Sequence, residues 1–119
     1  MTFIVYEYYF LTNKSLSCHI IKMPKYILEE GSGSKKWKVT GYGTTIQFGA
    51  KGYEDFTTSK DEKKKSAYIA RHKKNEDWTK SGINSAGFWA KHLLWNKPTL
   101  SESIKATNDM FGIHIVRKR

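Results

Sequence analysis

The stretch YIARHKKNEDW, Tyr68 to Trp78, sets Arg71, His72, Lys73 and Lys74 between two aromatics and two acids. His72 with Glu76 and Asp77 has the residue types of a general-base pair or a metal site. Metal-dependent cleavage, however, needs several carboxylates or histidines converging on one point. Candidates are few: His72, Glu76 and Asp77, with Glu54, Asp55 and His92 elsewhere in the chain. Asn75 is a natural helix end, and Glu76 and Asp77 have lysines close by to pair with. No catalytic residue, metal ligand or cofactor is therefore assigned, and a non-enzymatic chain is expected.

A second chemistry uses the same residues better. From Lys60 to Lys97 there are ten Lys or Arg and four acids. Cations on a helix neutralise phosphates, and neighbouring aromatics stack on exposed bases. Tyr68 and His72 are i, i+4 neighbours with Arg71 beside them. The expected contact set is Lys63, Lys64, Lys65, Tyr68, Arg71, His72, Lys73, Lys74, Trp78 and Lys80. Against it stands a plainer reading, a solvated helix whose aromatics simply bury their rings.

In GFWAKHLLWNKP, Phe88, His92 and Trp95 recur at i, i+4 and i+7 beside a core stripe of Ala86, Trp89, Ala90, Leu93 and Leu94. A helix with two such lines buries both or presents one. Either Phe88, His92 and Trp95 pack between the sheet and the last helix, or they anchor a protein partner. GAKGYEDF lacks the Walker A pattern and does not open into a helix. Neither a nucleophile elbow nor a dinucleotide fingerprint occurs.

Placing these residues falls to one domain of 119 residues, a size that buries about two thirds of its unfolded surface. Seventeen aromatics offset a modest 39% hydrophobic content, because each ring buries much area. Cys18 is the sole cysteine, which excludes an internal disulfide and a cysteine-based zinc site. The net charge of +10 attracts polyanions: nucleic acid, an acidic protein surface or anionic lipid. No segment reaches the ~18 apolar residues of a membrane span. TFIVYEYYFL comes nearest, but Glu7 interrupts it and it lacks a basic flank and cleavage site, so no signal peptide is expected.

Two descriptions of residues 1–22 stand side by side. Thr2 to Leu11 suits a strand covered on both faces, or the segment is an upstream extension preceding a start at Met23. Residues 23–119 form the domain. EEGSGSKK reads as a loop. The alternation of Trp37 with Val39, and of Ile46 with Phe48, predicts two strands joined by a reversal at GYG. Gly49 and Gly52 then release the chain into YEDFTTS. SKDEKKKSAYIARHKK reads as a helix opened by Ser59 and Glu62 at capping-box spacing. WTKSGINS is a connection, and SAGFWAKHLLWNK a helix with Pro98 beyond its end. TLSESIKATNDMFG carries a second capping box, Thr99 with Glu102, and places Leu100, Ile104 and Phe111 on one side before Gly112. IHIV returns as a short strand ahead of Arg117, Lys118 and Arg119. The fold class is α+β: a small antiparallel sheet packed by about three helices.

Three segments together, FGAKGYEDFT, YIARHKKNEDWTKSGINSAGFW and LLWNKPTLSESIKAT, resemble an uncharacterised family. Its members are small basic proteins and domains from nucleocytoplasmic large DNA viruses of algae and protists. The resemblance spans roughly residues 37–111 and carries no catalytic motif, so no functional residue transfers. It implies a virus-encoded protein acting in the host cell, cytoplasm or nucleus, or packed into the virion. The expected partner is nucleic acid, bound electrostatically with little sequence preference. The alternative is a minor virion protein gluing other viral structural proteins through the N-terminal strand and the Phe88, His92, Trp95 line. A nuclease-like enzyme around His72 and Glu76 stands last.

Overall fold

The computed structural model describes residues 23–118; the expected strand Thr2 to Leu11 and the tail residue Arg119 lie outside them. Four strands, β1 (Lys25–Glu30), β2 (Lys35–Gly41), β3 (Thr44–Ala50) and β4 (His114–Arg117), line up in the order β3-β2-β1-β4. Between β3 and β4 come α1 (Phe56–Ser59), α2 (Glu62–His72), α3 (Ala86–Leu94) and α4 (Leu100–Phe111), with a 3-10 turn at Lys80–Gly82. The α+β class holds, with the longer helices in the C-terminal half.

The sheet is mixed, which corrects the all-antiparallel expectation. β1 pairs antiparallel with β2, and β2 with β3, but β4 lies parallel to β1, with Tyr26 opposite Ile115. The chain leaves α4 through Gly112 at φ 64°, a left-handed conformation that costs glycine nothing. Asn108 on α4 accepts from the Ile115 amide at 2.9 Å, and the His114 amide donates to the Pro24 carbonyl at 2.8 Å. These bonds set β4 beside β1 in the same direction. β1, an interior strand of the sheet, is formed by KYILEE, so Glu29 and Glu30 belong to it, and Lys35 and Lys36 to β2, rather than to the expected loop.

Strand alternation behaves as expected. Tyr26, Leu28, Val39, Phe48 and Ile115 point one way and meet Phe88, Trp89, Leu93 and Leu94 of α3 in one core, each worth about 1.5–3 kcal/mol when fully buried. The β2–β3 reversal takes positive φ at Tyr42 and Gly43, the pattern of a type I′ hairpin whose twist matches the strands. Gly41 has a different duty from the one expected of it: a Cβ there would lie 2.4 Å from the Tyr26 ring.

YEDFTTS is not a plain loop. Asp55 caps α1, accepting from the Thr57 amide at 2.9 Å, while the Asp55 amide donates to the Thr58 hydroxyl at 3.0 Å. The carboxylate is buried and also takes the Lys36 ammonium of β2, which ties α1 to the sheet. Lys60, left-handed at φ 55°, breaks α1 from α2, and Asp61 caps α2 through the Lys63 and Lys64 amides. The Ser59 cap expected with Glu62 is therefore replaced by Asp61. The Thr99 cap forms as expected: its hydroxyl oxygen accepts from the Glu102 amide at 3.2 Å.

Phe88 and His92 are interior, which removes both from any contact surface. Phe111 of α4 lies 5.0 Å from the Phe88 ring and 4.9 Å from the His92 ring. His92 Nε2 contacts the Trp78 carbonyl at 2.8 Å. A carbonyl only accepts, so Nε2 carries the proton and Nδ1 is bare. That Nδ1 is buried and has no partner among the described residues. Burial holds the His92 pKa below its ordinary value; the Trp78 bond opposes the shift and the Lys91 charge adds to it. The unfolded chain therefore takes up a proton that the native state resists. Stability should be full above the unfolded value of about 6.5 and fall as pH drops below it. The melting temperature is expected to decline between pH 7 and 5, and to decline less steeply in His92→Leu. Equal slopes in the two proteins would assign the pH dependence to other groups.

Candidate nucleic-acid interface

Helix α2 forms because a cap, an acid in its first turn and basic residues in its last turn agree with the helix dipole. Its attachment is narrow. Tyr68 is its single buried residue, with Lys65, Ile69 and His72 half-buried on the same side. The Tyr68 ring stacks on Trp95 at 4.5 Å and 7° between planes, and on His72 at 4.2 Å and 22°. His72 and Trp95 thus cover both ring faces. Burial, with the Glu76 charge adding and Arg71 opposing, pushes the Tyr68 phenol up to about 12.

Glu76 closes the chain beyond α2 back onto the helix. One carboxylate oxygen meets His72 Nδ1 at 2.8 Å, and the other accepts from Trp78 Nε1 at 2.9 Å. Trp78 in turn presents its carbonyl to His92. Gly87, in the first turn of α3, makes room for this clasp: a Cβ there would stand 2.7 Å from the Glu76 carboxyl carbon. Asp77 accepts from the Ser81 and Thr79 hydroxyls and the Thr79 amide, which holds its carboxyl below its ordinary value. The expectation that Glu76 and Asp77 pair with neighbouring lysines is thus corrected. Among the described residues no three His, Cys, Asp or Glu side chains group to hold a metal ion.

The expected contact set divides into two. Tyr68, His72 and Trp78 join the body rather than a ligand, and Lys91 lies over the Trp78 ring at 5.5 Å. Burial, with the Lys65 charge adding, lowers the Lys91 pKa. Lys65 also turns inward, donating to the Asn96 carbonyl at 2.6 Å and lying 4.8 Å from the Phe56 ring centre. Lys64 pairs with Glu54, which raises its pKa. Lys63, Arg71, Lys73, Lys74 and Lys80 are exposed, and none has an acidic partner among the described residues. Helical rise places Arg71 about 12 Å along the axis from Lys63. Ser66, Ala67 and Ala70 are also exposed, and such short side chains let a phosphate backbone approach closely.

Sequence reasoning missed the Lys36–Asp55 tie and the seating of Arg117 over Trp37, 5.2 Å from the ring centre. Asp55 and Thr58 at capping-box spacing signal the cap of α1, but no local pattern names Lys36 as the partner of Asp55. Nothing local signals a pair 80 positions apart.

Residues 29–72, from the end of β1 through α2, match a family described as one of unknown function (DUF5754). No curated protein and no solved structure matches the chain.

Tyr68→Ala removes the one buried side chain of α2, at a cost of about 3–5 kcal/mol if the site cannot collapse. Amide exchange over Glu62–His72 should rise towards the unprotected rate while Leu28 and Val39 stay protected. Unchanged protection in α2 would show that other contacts hold it.

Proposed function

We propose that this chain is a virus-encoded, non-enzymatic module that binds nucleic acid through the outer side of α2 and the turn following it. The observation that carries the reading is the fate of the acids. Asp61 is a helix cap, Glu76 a clasp, Asp77 a turn former and Glu54 the partner of Lys64, so Glu62 alone of the acids here stays exposed without a cationic partner among the described residues. Lys63, Arg71, Lys73, Lys74 and Lys80 are left facing water, an excess suited to phosphates. The rings of this region are engaged internally, so α2 contacts the backbone of the nucleic acid and does not stack on its bases. Weak sequence preference follows, because phosphate contacts position and do not specify. The host cell, with the virion as a second site, is the setting that goes with this reading.

The protein-contact alternative has less support. Two of its three named residues are interior, its N-terminal strand lies outside the described residues, and the large exposed apolar side chains Met23, Tyr42, Tyr53 and Met110 fall in four separate stretches of the chain.

Fluorescence anisotropy against labelled duplex and single-stranded DNA over a salt series tests the proposal. Five phosphate contacts give a slope of log K on log salt of about −4.5 for duplex. Lys73→Glu with Lys74→Glu should weaken binding at least about tenfold and flatten the slope by about two contacts. Absence of binding at about 50 mM salt, where screening is weak, would refute the proposal. Loss of DNA-cleaving activity on His72→Ala, in a preparation that has such activity, would overturn the non-enzymatic part.

A further inference from the structure

A groove of about 700 Å³ opens where β1 and β4 end side by side. Its volume lies within the range of sites that enclose small organic ligands, about 300–1,000 Å³. Trp37 lines it, half-buried, with the body of its ring packed against the core. The exposed Arg117 lays its guanidinium over the indole, 5.2 Å from the ring centre. A guanidinium lying over an aromatic leaves its outer side to other groups, and a planar base stacks on a guanidinium as it does on an aromatic ring.

The polar groups around this platform suit a nucleotide. Lys51 and Lys118 line the groove and are exposed, within reach of flanking phosphates. Glu30 pairs with Trp37 across the β1–β2 ladder, beside the platform, and a carboxylate there accepts from an N–H on the edge of an unpaired base. Lys36, deeper in, is already engaged by Asp55 and the Tyr53 carbonyl, so it shapes the groove without offering a free charge. α1 forms part of the wall through Thr57 and Thr58, and α2 with Lys63 begins directly after it.

We infer that this groove seats one unpaired base of a single-stranded nucleic acid on the Arg117–Trp37 pair, with Lys51 and Lys118 on the adjoining phosphates. The inference rests on the nucleic-acid reading above and adds a preference to it. α2 serves duplex and single strand alike, whereas the groove serves only a strand whose bases are free. Stacked bases inside a duplex cannot reach the guanidinium.

Arg117→Lys keeps the charge and removes the plane. With the whole chain titrated against labelled oligo-dT and against a duplex of equal length, this variant should lose about tenfold on the single strand. Its duplex affinity and salt slope should stay those of the parent. Trp37→Leu should act in the same way. Should that variant fail to fold by circular dichroism, Arg117→Lys decides alone. Parental affinity for oligo-dT in the folded variants, or equal losses on both strand forms, overturns the groove and leaves the α2 proposal standing. A parent that binds neither form overturns both.

Discussion

The stack of Tyr68 on Trp95 is the contact on which the arrangement of charge depends. α2 is charged or short-chained over most of its circumference and so has little apolar surface to bury. One ring, covered by Trp95 on one face and His72 on the other, supplies most of what holds it. Stacked aromatics add about 0.5–1.5 kcal/mol beyond the area they bury. Around the ring, Glu76 binds His72 and Trp78, and Trp78 passes the connection on to His92 in the core. The helix thereby gains a defined orientation without giving up its wet face.

This economy explains the division of labour among residues that look alike in the sequence. Lysines 63, 64 and 65 are consecutive, yet each meets a different environment. A helix turns 100° per residue, so one of the three faces the body, one faces solvent, and one comes within reach of Glu54. Lys65 is therefore structural, Lys64 partly neutralised and Lys63 available. Compositional counting credits all three equally. The aromatics behave in the same way, because a ring near cations is as useful for fastening a helix as for stacking on a base.

The Lys36–Asp55 pair has a comparable role on the opposite side of α1. A buried carboxylate is tolerable only when its charge is met, and Asp55 is met by an ammonium, an amide and a hydroxyl. The pair fastens α1 to the sheet and helps shape the groove that ends at Trp37. Two surfaces with different demands, a convex basic helix and a concave platform, are joined by a four-residue helix.

Much of this was legible in the sequence, because the signals are local. Alternation in WKV and IQF determines half-buried strands, and the spacing of Trp89, Leu93 and Leu94 determines a buried helix face. Thr99 with Glu102 and the later Gly112 determine where α4 starts and stops. These follow from the periods of strand and helix and from the bonding of helix ends, all within a few residues. The charge excess and its concentration around α2 were equally plain. Only the tertiary structure decided which lysines remain outside, that Tyr68, His72 and Trp78 are fasteners, and that Phe88 and His92 are core. It alone set β4 parallel to β1 and brought Arg117 over Trp37. Each of these depends on which distant segment arrives at a side chain, and that is governed by the packing of whole elements rather than by neighbours along the chain.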